Sequence, residues 1–376
     1  ILLLLYPVAT TGLLPAFQNK ADYSSNKPNT KITEDLNFLP PDTADILEDA
    51  CKDTARRMKR AKVPVSPTIC SEGEVGISFV HWPAAAVVKT TTKKLLPPVV
   101  LVHGFDSSCL EYRRLGSRLA EQGIDAYAVD ILGWGFTQLE GVEDFSAQAK
   151  VEALNSFVSS VLGPNTPFCV AGASLGGAAA IELASSNRNC EGLILIDAQG
   201  FVDGVGPMAA LPNFLAQAGV AVLKSVPLRN SANQMSYFDK GTFATDDALN
   251  IGRLHCIQQP QWSDAMVGFM KSGGFTPSAK VPTIQAPALV MWGRQDGILD
   301  GEEFANKFVE TLPNAELQWI EDCGHVPHLE QPDVAARTIL DFLSRKVVSN
   351  SSNGGAANKV ENNPLAEAAS RFFQFN

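Results

Sequence analysis

The stretch Phe168-Cys169-Val170-Ala171-Gly172-Ala173-Ser174-Leu175-Gly176-Gly177-Ala178-Ala179-Ala180 decides the fold. Its first four residues form a short, continuous apolar run, as in a strand buried on both faces of a parallel sheet. The alanines at its other end favour helix. Between them Gly172, Ala173, Gly176 and Gly177 surround one serine with residues small enough for a sharp strand-to-helix turn. Such a turn lifts the serine hydroxyl off the sheet edge and aims a helix N-terminus at it. A dinucleotide-binding loop is excluded, because Ser174 stands where that pattern needs glycine.

The same alternation runs outward in both directions. Val99–Val102, Ala126–Val129, Leu193–Ile196 and Ala288–Trp292 are further short apolar runs, and Val75–Phe79 alternates as a half-buried strand does. Helical patterns lie between them, at Glu111–Gln122, Phe145–Leu162, Gly177–Ser186, Glu302–Leu312 and Asp333–Lys346. This predicts an α/β, mainly parallel sheet of about eight strands with right-handed crossovers. Only residues 200–285 break the rhythm, and they are expected to form an inserted helical cap. Residues 71–199 and 286–346 then make the core.

Residues 1–70 read as an N-terminal segment, partly disordered, with a helix over Asp45–Lys62. Residues 1–19 carry no charge but contain Pro7, Gly12 and Pro15. They suit either a remnant of a targeting segment or anchor, or an apolar strand or loop on the body. Residues 347–376 read as a tail, polar from Asn350 to Ala357, with a small amphipathic helix expected over Leu365–Phe375.

Composition excludes several classes. The 376 residues are 45% hydrophobic and 19% charged, which suits a packed core and rules out global disorder. A net charge of −10 argues against nucleic acid as a partner. Seven cysteines without a CxxC spacing exclude a zinc ribbon and read as reduced, mostly buried thiols. No His/Cys/Asp cluster has metal-ligand spacing, so neither a metal nor a cofactor is expected.

A serine nucleophile needs a base, and the base an orienting acid, in the chain order serine, acid, histidine. His325, in Asp322-Cys323-Gly324-His325, follows the strand expected over Glu316–Ile320 and falls at the carboxyl edge of the sheet. His328 is its rival. Asp296, after the strand ending at Trp292, is the expected acid, with Asp300 and Asp197 as alternatives. Oxyanion donors are expected from the backbone N–H groups of Leu175 and of Phe105 in His103-Gly104-Phe105. His103 reads as a structural turn residue, Cys169 and Cys323 as inert thiols, and His255-Cys256 as packing within the cap. Between Gly204 and Leu228 the only charge is Lys224. Met208, Leu211, Phe214, Leu215 and Leu223 are therefore expected to line a trough for a long hydrophobic substrate group, or to meet a lipid surface.

With these residues in hand, the chain resembles the chlorophyll dephytylases, α/β-hydrolases related to the pheophytinases. Leu101-Val102-His103-Gly104-Phe105-Asp106-Ser107-Ser108-Cys109-Leu110-Glu111 and Ala128-Val129-Asp130-Ile131-Leu132-Gly133-Trp134-Gly135-Phe136 carry the likeness. So do Leu223-Lys224-Ser225-Val226-Pro227-Leu228-Arg229, Gly252-Arg253-Leu254-His255-Cys256 and Asp322-Cys323-Gly324-His325. It extends from about Pro97 to Phe342. The resemblance implies an α/β-hydrolase fold and a chloroplast, thylakoid-associated serine esterase that removes the phytyl chain of chlorophyll. Pheophytinases typically carry Asn directly before the nucleophile, where this chain has Ala173. A general lipid or acylglycerol esterase would use the same triad under an apolar cap, and a hydrolase-fold binding protein would lack part of it. Ser174 argues against an epoxide hydrolase or dehalogenase, which needs a carboxylate nucleophile.

Overall fold

The computed structural model describes residues 30–85, 96–257, 259 and 261–347. The expectations for residues 1–19 and for Leu365–Phe375 lie outside the described residues. The core opens with β1 (Ile32–Thr33), α1 (Asp49–Arg56), β2 (Lys59–Pro64), β3 (Glu74–Trp82) and β4 (Val99–Val102). It continues with α2 (Leu115–Glu121), β5 (Ala126–Val129), α3 (Ala147–Phe157), β6 (Phe168–Ala173), α4 (Leu175–Ser186) and β7 (Cys190–Ile196).

Between β7 and the next strand every element is helical: α5 (Asn213–Leu223), α6 (Val226–Ser236), α7 (Lys240–Phe243), α8 (Asp246–Ile251), α9 (Leu254–Ile257) and α10 (Trp262–Lys271), with short 3-10 turns. The core then resumes with β8 (Ala288–Gly293), α11 (Gly301–Thr311), β9 (Ala315–Ile320), α12 (Pro327–Glu330) and α13 (Pro332–Phe342).

The nine strands form one sheet in the order β1-β2-β3-β5-β4-β6-β7-β8-β9. From β5 to β9 the strands run parallel, and β1, β2 and β3 join in antiparallel fashion. β4, β6 and β8 are buried along their whole length, as helices on both faces require. The sheet thus has one strand more than the eight or so expected, and neither β1 nor β2 is among the runs that read as strands in the sequence.

The N-terminal expectation needs correcting. No single helix spans Asp45–Lys62: the helix stops at Arg56, and Lys59–Pro64 pairs with β3 along six residues. Ala61 and Val63 are fully buried while Arg60 and Lys62 are partly exposed and Pro64 is exposed, so the period is two. With one small residue and one valine on its inner face, this strand reads as a charged helical frame in sequence. Ile46, Cys51 and Met58 are buried in the core as well, so the α/β body reaches back before residue 71.

One buried cation stands out. Lys150 on α3 is fully buried, donates to the Leu132 carbonyl, and lies 4.2 Å from the Trp134 ring centre and 5.1 Å from that of Phe269. Burial pushes its pKa down to about 7, only partly offset by Asp106 and Asp144. Between pH 7 and about 10 the unfolded chain therefore holds a proton that the folded protein lacks, and stability rises with pH across that window. Lys150→Met should raise the melting temperature at pH 7, with a gain that shrinks by pH 9.5. Thermal melts across that range check it; a gain that stays constant would show that Lys150 does not titrate there.

Candidate active site

The strand-to-helix turn is built as tightly as the small residues allow. Ser174 sits at φ 51° and ψ −125°, a conformation L-residues rarely adopt. Its N–H donates to the Ile196 carbonyl (3.0 Å), and its own carbonyl accepts from Gln199 (2.8 Å) and Gly177 (2.9 Å). A Cβ on Gly172 would collide with the Gly176 carbonyl, and one on Gly176 with the carbonyls of Val102 and His103. Those glycines let β6 and α4 close on each other and on the end of β4.

Two loops at the same sheet edge bring the other groups. His325 Nδ1 lies 2.8 Å from Asp296 Oδ2. Asp296 Oδ1 accepts from the N–H groups of Ile298 (2.7 Å) and Leu299 (3.1 Å). Burial works against the charge on Asp296, but His325 and these backbone donors outweigh it and hold its pKa below the usual value. His325 Nε2 is buried and has no hydrogen-bond partner among the described residues. Ser174 and His325 line one cleft of about 320 Å³ together with Phe105.

The alternatives weighed in sequence take other roles. Asp300 caps α11 through the N–H of Glu303. His328 is fully buried, with Nε2 3.0 Å from Glu111 Oε1 and its ring against Tyr112. Asp197 lies beside the pair: it accepts from Gly293 N–H (2.9 Å), and burial plus the neighbouring Asp296 charge push its pKa well up. Asp197, Asp296 and His325 are the one group of three His, Cys, Asp or Glu close enough for a cation among the described residues. The Nδ1–Oδ2 hydrogen bond already uses two of the atoms that a cation would need. Burial pushes the thiols of Cys169 and Cys323 upward, as unreactive cysteines require.

The loop carrying Phe105 is held from behind. His103 is fully buried; its Nε2 accepts from Ile131 N–H (3.0 Å) and its Nδ1 lies 2.9 Å from the Gly104 carbonyl, so it is a turn residue. Glu111, unremarked in sequence, accepts from Gly104 N–H (3.1 Å). Burial opposes its charge, yet His328, His103 and Ser107 bring its pKa to about 2. A Cβ on Gly104 would lie 3.3 Å from Ser174 Cβ, so this loop runs directly against the serine. The Phe105 ring packs edge-on to Trp134 (5.5 Å).

Beyond the cleft lies an apolar chamber of about 430 Å³, sharing Phe105, Leu223 and Leu228 with it. Met208, Leu211, Leu215 and Leu223 line the chamber, as does Leu175. Phe214 does not: it is 70% exposed. At about 100° per residue, Leu215, Ala216, Gly219, Val220, Val222 and Leu223 make up the face of α5 toward the chamber, and Phe214 falls on the opposite side. Apolar on nearly every side, α5 buries only Ala216 and Val220 fully.

The sequence matches the α/β hydrolase family over residues 99–338. The chain belongs to the α/β-hydrolase family. It is 35% identical to the α/β hydrolase domain-containing protein VTE7 of Arabidopsis thaliana, over 82% of this chain and 91% of that protein. Human monoacylglycerol lipase ABHD6 is 22% identical over 66% of this chain and 75% of its own. Among solved structures, a thermophilic esterase from Thermogutta terrifontis superposes with a TM-score of 0.61 at 20% identity, covering 76% of this chain and 97% of that one. The chain is thus an α/β-hydrolase, similar to lipases and esterases.

Ser174→Ala should abolish ester hydrolysis and fluorophosphonate labelling while leaving ligand binding intact. Asp296→Asn should keep the geometry but lower kcat by ~10⁴-fold, since the imidazolium loses its counter-charge. Rates on a p-nitrophenyl ester check both; near-parental turnover by either variant would overturn the assignment.

Proposed function

We propose that the chain is a serine esterase acting on the phytyl ester of chlorophyll, releasing chlorophyllide and phytol. Ser174 Oγ attacks the ester carbonyl carbon while His325 Nε2 takes its proton, and Asp296 orients and balances the imidazolium. The N–H groups of Phe105 and Leu175 receive the developing oxyanion. As the acyl-enzyme forms, the ester C–O bond breaks and His325 returns its proton to the departing phytol. Water, deprotonated by the same imidazole, then attacks the acyl carbon; the bond to Ser174 Oγ breaks, His325 returns the proton to that oxygen, and the acid leaves.

The observation that carries the substrate class is the pair of cavities meeting at Phe105, Leu223 and Leu228. Ring and chain must leave the ester in different directions. The apolar chamber suits the branched alkyl chain, whose burial contributes about 0.8 kcal/mol per CH₂. The more polar cleft, edged by Arg229, Ser231, Asn233 and Ser236, is left for the head. A chloroplast, thylakoid-associated setting is part of this proposal. It is supported by the sequence resemblance and by the exposed apolar residues Phe214, Leu215, Val222 and Val226 beside the chamber. A second reading, acylglycerol hydrolysis, is favoured by the likeness to ABHD6; there the chamber would take the acyl chain.

Purified protein given chlorophyll a, pheophytin a and a monoacylglycerol in detergent should turn over chlorophyll a fastest, with chlorophyllide and phytol as products. Faster release of fatty acid from the glyceride would favour the second reading. Leu215→Asp should cut turnover of phytylated pigment about tenfold or more and that of p-nitrophenyl acetate little. Phe214→Asp should spare both in detergent and slow pigment turnover only in vesicles. Equal loss on every substrate would mean that the cap unfolds.

A further inference from the structure

Asp106, the residue after Phe105, is the point at which the oxyanion loop meets the cap. It adopts φ 48° and is 6% exposed. Its Oδ1 accepts from His255 Nε2 (2.8 Å) and Trp262 Nε1 (2.7 Å), and its Oδ2 from the Arg229 guanidinium. Those donors come from α9, α10 and α6, three separate cap helices. Arg229 also donates to the carbonyls of Leu223 (2.8 Å), at the end of α5, and Gly252 (3.0 Å), just after α8. Burial opposes ionisation of Asp106, but His255 and Arg229 outweigh it and keep the carboxyl below its ordinary range.

The far end of α6 reaches the other catalytic loop. His325 N–H donates to the Ser236 carbonyl (2.8 Å). The buried Glu330 carboxylate accepts from Gly324 (2.7 Å) on the histidine loop and from Phe238 (3.2 Å) and Asp239 (2.7 Å) just beyond α6. Arg229 and Ser236 lie on the one helix, about 10 Å apart at 1.5 Å per residue. The helix is therefore a strut between the oxyanion loop and the base.

We infer that Asp106 is a positioning residue for the oxyanion hole, fixing the Phe105 N–H through three cap helices so that the hole is complete only when the cap is seated. A purely stabilising role accounts poorly for the cluster, because a buried ion pair seldom outperforms apolar packing of the same volume. A carboxylate taking three directed donors fixes orientation, and orientation is what an oxyanion donor needs. Leaving the loop free to turn by one peptide would remove one of two donors without touching Ser174, Asp296 or His325.

The inference depends on the serine-esterase reading of Ser174, and the test separates the two. Parent protein, Asp106→Asn, Arg229→Met and Trp262→Phe are compared on p-nitrophenyl acetate, which carries no long chain on either side of its ester to need the chamber. Asparagine tolerates the left-handed backbone, and phenylalanine deletes only the indole N–H. Loss of a directed oxyanion donor predicts that kcat falls about 10- to 100-fold in Asp106→Asn, with KM changed little. Affinity for a phenylboronic acid, which forms a tetrahedral adduct on the serine, should fall by a similar factor. Arg229→Met and Trp262→Phe should move kcat the same way by less, and Asp106→Asn with Arg229→Met should be no worse than the first alone. Stoichiometric fluorophosphonate labelling on long exposure should persist in all of them. Folded Arg229→Met and Trp262→Phe with kcat and boronate affinity within about twofold of the parent would overturn the inference, even if Asp106→Asn fails to fold. Loss of long-chain ester turnover alone would overturn it too, leaving Asp106 as a staple of the cap. A parent that neither hydrolyses nor labels would overturn both this inference and the esterase reading.

Discussion

The site depends on a backbone conformation that Ser174 would not adopt by itself. A positive φ at a non-glycine residue persists only where the surroundings over-determine it. Here the surroundings are three adjacent strands. The turn is pinned to the end of β7 through Ile196 and to the segment after it through Gln199. On the other flank, Gly172 and Gly176 bring α4 into contact with the end of β4. Each glycine is needed because another backbone, not a movable side chain, occupies the space a Cβ would take. The serine is thus displayed where the ends of β4, β6 and β7 meet, and the loops carrying Phe105, Asp296 and His325 leave the same edge.

Burial then divides the carboxylates into two kinds. Asp296 has directed donors on both oxygens and stays charged; Asp197 has a single backbone donor and a charged neighbour, so it favours the neutral form. The same logic separates the histidines. His325 lines the cleft that holds Ser174, while His103 and His328 are fully buried outside it and face the Gly104 loop, His103 directly and His328 through Glu111. One residue type thus serves as a candidate base in one place and as scaffold in two others.

The cap meets the core at polar anchors as well as through apolar packing. Both anchors are buried carboxylates: Asp106, next to Phe105, draws its side-chain donors from the cap, and Glu330, at the end of α12, ties Phe238 and Asp239 of the cap to Gly324 of the histidine loop. Between these anchors α5 and α10 enclose the apolar chamber. An uncharged helix such as α5 can wall a cavity with one face and keep another apolar face outward, because nothing in its composition marks a solvent side.

Much of this was legible in the sequence. Continuous apolar runs marked the parallel strands, and small residues around Ser174 marked the turn, since both patterns follow from local steric demands. The order serine, aspartate, histidine came from strand ends that sequence can locate. Other features are long-range and leave no local trace. Lys59–Pro64 became a strand only because β3 offered it an edge, and its alternation was too weak to announce that. Phe214 and Leu215 have the same apolar character, and only helix phase against the core sends one outward and the other to the chamber. Asp106 finds its partners 123, 149 and 156 residues away. Periodicity reports what a residue's neighbours in the chain require; which distant donor meets a buried carboxylate is decided when the cap closes on the sheet.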